Sequence, residues 1–281
     1  MDQMIQRITV TTLDLPELQP YRTLRRHADH INAGIFVAEG EKVVRRLMES
    51  GLPLISFLMT REWSDALFPE HRIHSGEIAG NEPIPVYIAE KRLVESIVGY
   101  NLHQGIMAVG KVPAPVSPAE MVCTLRQPFL LVALDRLVNA ENVGLIVRNC
   151  AAFGVDGVLV GESSSSPYLR RAVRNSMGTV FSLPVAATEN LAASLLRLHQ
   201  EYSTRIVAAH PRGNSTIYSC RFSGNVCIVL GNEGEGISER ILHVANDLVG
   251  IPMMKSIDSL NVASASAVFL FEARRQREAG K

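Results

Sequence analysis

Leu230-Gly-Asn-Glu-Gly-Glu-Gly-Ile-Ser238 is the stretch on which the fold turns. An apolar run at 226–230 leads into it and a helix start follows it, which is the joint between a buried strand and the next helix of an α/β protein. Gly231, Gly234 and Gly236 are spaced GxxGxG, the reverse of the dinucleotide-binding order, and the loop has no Lys for a P-loop. Glu233 and Glu235 stand where a phosphate would want backbone N–H groups alone. The loop therefore disfavours a nucleoside triphosphate and favours a ligand with positive charge or hydroxyls. A plain strand-to-helix turn, with acidic residues at the positive end of the helix, accounts for the same residues.

Working outward, the same alternation extends in both directions. Strands are expected at 129–134, 157–160, 205–209, 226–230 and 248–252, and helices at 143–153 (closed by Gly154), 168–177 (stopped by Gly178), 191–202 and 260–277. Strands separated by helices imply a mostly parallel sheet covered on both faces. Nearer the N-terminus, strands at 34–38, 54–59, 84–88 and 105–109 with helices at 41–49 and 91–98 predict a smaller α/β sandwich. Residues 1–20, with Pro16 and Pro20, read as a loose lead, and 111–127, with Pro113, Pro115 and Pro118, as a linker. The expected division is an N-terminal domain at 1–110, the linker at 111–127 and a C-terminal domain at 128–281.

Composition limits what this protein can do. The 281 residues correspond to about two domains, and 47% apolar against 20% charged residues is enough to build a core. Lys and Arg number 13 against 15 acidic residues up to 127, and 15 against 13 beyond it. With neither half basic, a polyanion would have to be met by local clusters. Arg outnumbers Lys by 23 to 5, a bias compatible with phosphate and base recognition and equally with Arg-rich codon usage. The longest apolar run cannot span a bilayer, and residues 1–12 lack a signal-peptide core, so a cytoplasmic location without membrane attachment is expected. Cys123, Cys150, Cys220 and Cys227 form no CxxC pair and read as reduced thiols. His27 and His30, like His71 and His74, have i, i+3 spacing, but no Cys or carboxylate set completes a metal site.

Two further segments carry polar residues where a buried framework would not ordinarily place them. Asn139-Ala-Glu-Asn-Val-Gly-Leu-Ile-Val-Arg148 follows one strand and opens a helix. Asn142 and Arg148 would lie about 120° apart on that helix, so a shared site needs Asn142 at the cap or loop and Arg148 inside the helix. An Asn N-cap with an exposed Arg is the structural alternative. Beyond the strand at 248–252, Ser259 and Asn261 precede Val262-Ala-Ser-Ala-Ser-Ala267, a run small enough for a backbone or ligand to approach closely. Either polar residue could also serve only as an N-cap.

Taken in order along 129–277, the three segments resemble the three motifs of the SpoU-TrmH family (SPOUT class) of S-adenosylmethionine-dependent RNA ribose 2′-O-methyltransferases. Arg22-Thr-Leu-Arg-Arg26 and Phe36-Val-Ala-Glu-Gly40 are similar to the N-terminal RNA-binding α/β domain of many members. The resemblance implies a C-terminal trefoil knot in place of an ordinary Rossmann-like sheet, and a homodimer. It implies that Gly231, Ile251 and Leu260 hold the S-adenosylmethionine adenosine through backbone groups, with Asn232 and Pro252 beside them. Asn142, Arg148, Glu233, Ser259 and Asn261 become the catalytic set. A guanidinium keeps its proton, so Arg148 is expected to grip a phosphate and orient the 2′-hydroxyl. Asn142, Ser259 and Asn261 would then hold the ribose and loop, and Glu233 would position Arg148 or the cofactor.

Arg170, Arg171 and Arg174 are the expected RNA-binding cluster, with Arg22, Arg25 and Arg26 in the N-terminal domain and Arg45 and Arg46 as a further pair. Ribosomal RNA is the favoured substrate and transfer RNA the alternative. A non-catalytic RNA-binding or ribosome-assembly protein on the same fold remains a competing class. A nicotinamide-dependent oxidoreductase fits the alternation but fails at the glycine spacing.

Overall fold

The computed structural model describes residues 4–69, 83–98, 105–254 and 256–279. The chain divides into two units, Met1–Pro113 with Tyr168–Arg174, and Ala114–Pro167 with Asn175–Lys281.

The N-terminal unit runs β1 (Ile5–Thr9), α1 (Gln19–Arg22), α2 (His27–Asn32), β2 (Ile35–Glu39), α3 (Glu41–Glu49), β3 (Leu54–Met59), α4 (Arg61–Leu67), β4 (Ile84–Ile88), α5 (Lys91–Val98) and β5 (Ile106–Lys111). Its five-stranded sheet has the order β1-β4-β3-β5-β2. β1, β4 and β3 run parallel, whereas β5 is antiparallel to β3 and β2. On α3, Val43, Val44 and Leu47 turn one stripe inward. Residues 5–9 are thus not part of a loose lead but an edge strand, in register with Ile84–Ile88. The His27 and His30 pair is not laid out for a metal, because buried His30 donates its Nε2–H to the Pro20 carbonyl at 3.0 Å. His71 and His74 lie outside the described residues.

The rest of the chain runs α6 (Pro118–Cys123), β6 (Leu130–Asp135), α7 (Ala140–Phe153), β7 (Gly157–Val160), α8 (Arg170–Asn175), β8 (Val185–Ala187), α9 (Leu191–Tyr202), β9 (Arg205–Ala209), β10 (Ser215–Thr216), β11 (Val226–Gly231), α10 (Glu239–Val244), β12 (Asp247–Gly250) and α11 (Val262–Ala279). Its seven strands have the order β10-β12-β9-β11-β6-β7-β8, with every pairing parallel. All six residues of β6 and the first five of β11 are buried, as apolar strands covered on both faces must be. β11 fills the slot between β9 and β6, so the carboxyl ends of β6, β9, β11 and β12 share one edge.

The expected linker at 111–127 needs correction. Lys111 ends β5, and Ser117 opens α6 with a capping box: its hydroxyl accepts the Glu120 N–H at 3.2 Å, and the Glu120 carboxylate accepts the Ser117 N–H at 2.7 Å. Met121 and Val122 are buried with Phe129 and Leu131 in the C-terminal core. Pro118 starts this helix, at a position where the missing N–H costs nothing.

α7 also begins earlier than the apolar pattern implies. Asn139 is its N-cap, with Oδ1 accepting the N–H groups of Glu141 and Asn142 at 2.9 and 3.4 Å. Asn142 is therefore inside the first turn, buried, and free of capping duty. Gly154 ends the helix at φ 71°, a left-handed position that suits glycine. α11 packs along α7, where Asn149 Nδ2 donates to the Ala263 carbonyl and to Ser266 Oγ, each at 2.9 Å. The small residues of α11 permit that approach.

Candidate active site

The decisive loop is built at the end of β11, where Gly231 lies in register with Asp135 of β6. Asn232 and Gly236 exchange backbone hydrogen bonds of 3.0 and 2.9 Å, which closes 232–236 into a small ring. Asn232 Oδ1 accepts the N–H groups of Gly234 and Glu235, and its Nδ2 donates to the Arg136 carbonyl at 2.9 Å. Gly231 is required by close approach. A Cβ there would stand 2.6 Å from backbone atoms of Gly236 and Ile237.

The loop meets the other two sequence segments through side chains. Asn142 Nδ2 donates to Glu233 Oε1 at 2.6 Å, and Asn261 Nδ2 donates to Asn142 Oδ1 at 3.2 Å. Each segment thus contributes one member of a hydrogen-bonded chain, with the buried amide of Asn142 in the middle. Asn261 does two jobs, since its Oδ1 caps α11 by accepting the Ala263 N–H at 2.9 Å. Capping α11 and bonding to Asn142 are therefore compatible in one side chain.

Glu233 and Asn261 also line a cavity of about 370 Å³ at the shared carboxyl edge of the sheet. Leu230, Ile237, Val249 and Phe269 contribute apolar walls, and Gly231, Ile251, Ser259 and Leu260 line it from the strand ends and loops. Among its described lining residues there is no Lys or Arg, and Glu233 is the only carboxylate. Such a lining suits a partly apolar ligand with positive charge.

Of the expected cofactor residues, Gly231, Asn232, Ile251 and Leu260 reach this cavity, whereas Pro252 is exposed and does not line it. The Asn232 side chain is already occupied in holding the loop. Arg148 is exposed on α7, with no protein partner among the described residues and no place on the cavity wall. Glu233 is paired with Asn142 and not with Arg148. His210, Pro211 and Met253 also line the cavity, and sequence reasoning missed them. For His210 and Pro211 the available signal was position, since they follow β9 and ligands collect at the carboxyl ends of parallel strands.

The expected RNA-binding arginines divide. Arg170 donates Nε and Nη2 to Glu39 Oε2 at 2.9 and 2.6 Å, within the N-terminal unit, so it is an internal ion pair more than a phosphate contact. Arg174 Nη1 lies 3.8 Å from Glu39 Oε1 and remains largely exposed. Arg171 is exposed. Arg22 pairs with Asp14 at 3.1 Å, while Arg25 and Arg26 are exposed. Burial pushes the thiols of Cys150 and Cys227 far up and that of Cys220 up to about 11, which makes these three poor nucleophiles. No helix among the described residues is long and apolar enough to cross a membrane.

Comparison with known proteins gives a consistent answer. Residues 129–271 match the SpoU rRNA Methylase family. An uncharacterized tRNA/rRNA methyltransferase of Mycobacterium tuberculosis is 31% identical over 272 residues, covering 93% of this chain and 90% of the relative. The 23S rRNA (guanosine-2′-O-)-methyltransferase of Photorhabdus laumondii is 33% identical over 208 residues, covering 73% and 83% of the two chains. Among solved structures, an AdoMet-bound rRNA methyltransferase from Sinorhizobium meliloti superposes with a TM-score of 0.78 at 25% identity, covering 96% of this chain and 98% of that one. With all three polar segments inside the matched region, this chain belongs to the SpoU rRNA methylase family.

Proposed function

We propose that this protein transfers a methyl group from S-adenosylmethionine to a ribose 2′-hydroxyl of ribosomal RNA. The observation that carries the proposal is the hydrogen-bonded chain Glu233–Asn142–Asn261 beside a cavity with no Lys or Arg among its described lining residues. Support for ribosomal RNA comes from the Photorhabdus relative and the Sinorhizobium neighbour, both rRNA methyltransferases.

The residues present fit the cofactor. A cavity of about 370 Å³ is within the usual small-molecule range of about 300–1,000 Å³. Backbone groups of Gly231, Ile251 and Leu260 are suited to adenosine, and Glu233 complements a sulfonium charge. When bound, S-adenosylmethionine supplies an electrophilic methyl group. The chain's own residues must bring the ribose oxygen into line and accommodate its proton. A guanidinium is a donor and not a base, so we assign Arg148 to the phosphate beside the target ribose, where its solvent-facing side chain orients the 2′-hydroxyl. Glu233 holds the Asn142 amide in one orientation, and Asn142, Ser259 and Asn261 hold the ribose and loop.

A trefoil knot and a homodimer belong to the same proposal. The insertion of β11 between β9 and β6, followed by the return of α11 onto α7, supports the knot. Leu145 of α7 and Val268 and Phe271 of α11 are exposed and apolar, a face that two copies would cover together. A cytoplasmic location goes with an RNA substrate and with four free thiols.

The test incubates purified protein and labelled S-adenosylmethionine with total RNA from cells lacking the gene, followed by alkaline hydrolysis. Label in alkali-resistant dinucleotides from ribosomal RNA is expected. Label in mononucleotides would make it a base methyltransferase, label in transfer RNA would overturn the substrate, and cofactor binding without label would favour a non-catalytic RNA-binding protein.

A further inference from the structure

We infer that Arg136 is a positioning residue for this reaction: bound to Glu235, it fixes the 232–236 loop so that Glu233 meets Asn142. The inference rests on the methyltransferase reading. Arg136 follows β6 and stands beside Asn232, because Asp135 is in register with Gly231. Its φ is 55°, in the left-handed region where a side chain is strained and glycine is not. Its Nε–H is buried without a hydrogen-bond partner and lies 3.8 Å from Asp135 Oδ1, too far to bond. An Arg kept under two penalties implies a compensating use of its guanidinium.

That use is visible in how the end of β6 clasps the loop. Asp135 Oδ2 accepts the Ser238 N–H at 2.6 Å, and the Arg136 carbonyl accepts Asn232 Nδ2 at 2.9 Å. These two bonds hold the roots of the loop. Its tip, Glu233 to Glu235, is exposed. There Arg136 Nη1 donates to Glu235 Oε2 at 2.6 Å. Glu233, two residues back on the same tight ring, is the acceptor for Asn142. The guanidinium therefore steadies the tip from the side of β6, while Asn142 reads its position from the side of α7. Arg136 is not itself among the described residues that line the cavity, and its guanidinium acts through Glu235.

The test compares Arg136→Gly, Glu235→Gln and the double variant with wild type. Arg136→Gly removes side chain and backbone strain together, so a residue that merely packs would leave kinetics unchanged and melting temperature equal or higher. We expect each single variant to lower kcat about two- to fivefold, the range for an exposed ion pair, with the KM for RNA unchanged. The double variant is expected to be no worse than the poorer single, because both act on the same pair: glycine removes the donor and glutamine removes the acceptor's charge. In the free protein, the Gly236 N–H, bonded to the Asn232 carbonyl, should exchange with deuterium faster in all three. Wild-type kcat and exchange in Arg136→Gly would overturn the inference, as would additive losses. A loss confined to the KM for RNA would make Arg136 an RNA contact instead. If wild type itself methylates no RNA, the methyltransferase reading fails, and amide exchange still decides whether Arg136 holds the loop.

Discussion

Asn142→Asp isolates the central bond of the proposed site. The two side chains are nearly isosteric, and the oxygen that accepts from Asn261 is kept. Only the donor to Glu233 is lost, replaced by a carboxylate facing a carboxylate. Losing a hydrogen bond to a charged group costs about 1.5–3 kcal/mol, and the lower figure applies because Glu233 is exposed. Two like charges 2.6 Å apart repel by about 1.6 kcal/mol even at the dielectric constant of water. The sum, about 3 kcal/mol, lowers the population of the aligned arrangement roughly a hundredfold. Glu233 can turn into solvent, but the new carboxylate at 142 is buried and keeps only the Asn261 donor, so the melting temperature should fall as well, while kcat for RNA methylation falls by about two orders of magnitude. A variant within a fewfold of wild type would refute the role assigned to the chain.

Arg148→Ala should abolish turnover yet leave S-adenosylmethionine affinity within about twofold by calorimetry, since Arg148 is exposed and off the cavity wall. Loss of cofactor binding alone would contradict that assignment. Gly231→Ala should weaken cofactor binding at least tenfold and cost about 1–3 kcal/mol of stability, because the new Cβ meets only backbone, 2.6 Å away; an unchanged Kd would show that the loop yields freely. Phe271→Glu on the exposed face of α11 should convert a dimer to a monomer in sedimentation, and an unaltered dimer would place the interface elsewhere. Burial holds the His30 imidazole below its ordinary 6.5, so between those values the unfolded state binds more protons. His30 therefore contributes fully above pH 6.5, and its contribution is lost as pH falls through that window. His30→Gln should flatten the fall in melting temperature on acidification, and an unchanged slope would remove His30 as its source.

The sheet was legible wherever burial on both faces writes a continuous apolar run, as at β6 and β11. β1 was not, because Ile5-Gln-Arg-Ile-Thr9 is an edge strand with no clean alternation and owes its place to the β4 ladder. α6 was legible in principle: Ser117, Pro118 and Glu120 are a capping box, hidden only because the surrounding prolines suggest a linker. Arg170 misled for a different reason. A run of arginines looks like a phosphate surface until its partner is known, and Glu39 is 131 residues away.

The candidate site depends on the same distinction between local and distant information. Asn142, Glu233 and Asn261 were each conspicuous as polar residues at the end of a strand or the start of a helix, and each had a capping or turn explanation. Spacing along the chain could not choose, because the bonds that join them span 91 and 119 residues. Two local facts settle Asn142. Asn139 takes the N-cap of α7, and Asn142 is then a buried amide whose donor and acceptor both need partners. Those partners arrive only because β11 pairs with β6, which brings the Glu233 loop over the start of α7, and because α11 packs along α7, which brings Asn261 there as well. A parallel strand inserted late between two earlier ones is what brings three ambiguous segments into one hydrogen-bonded cluster.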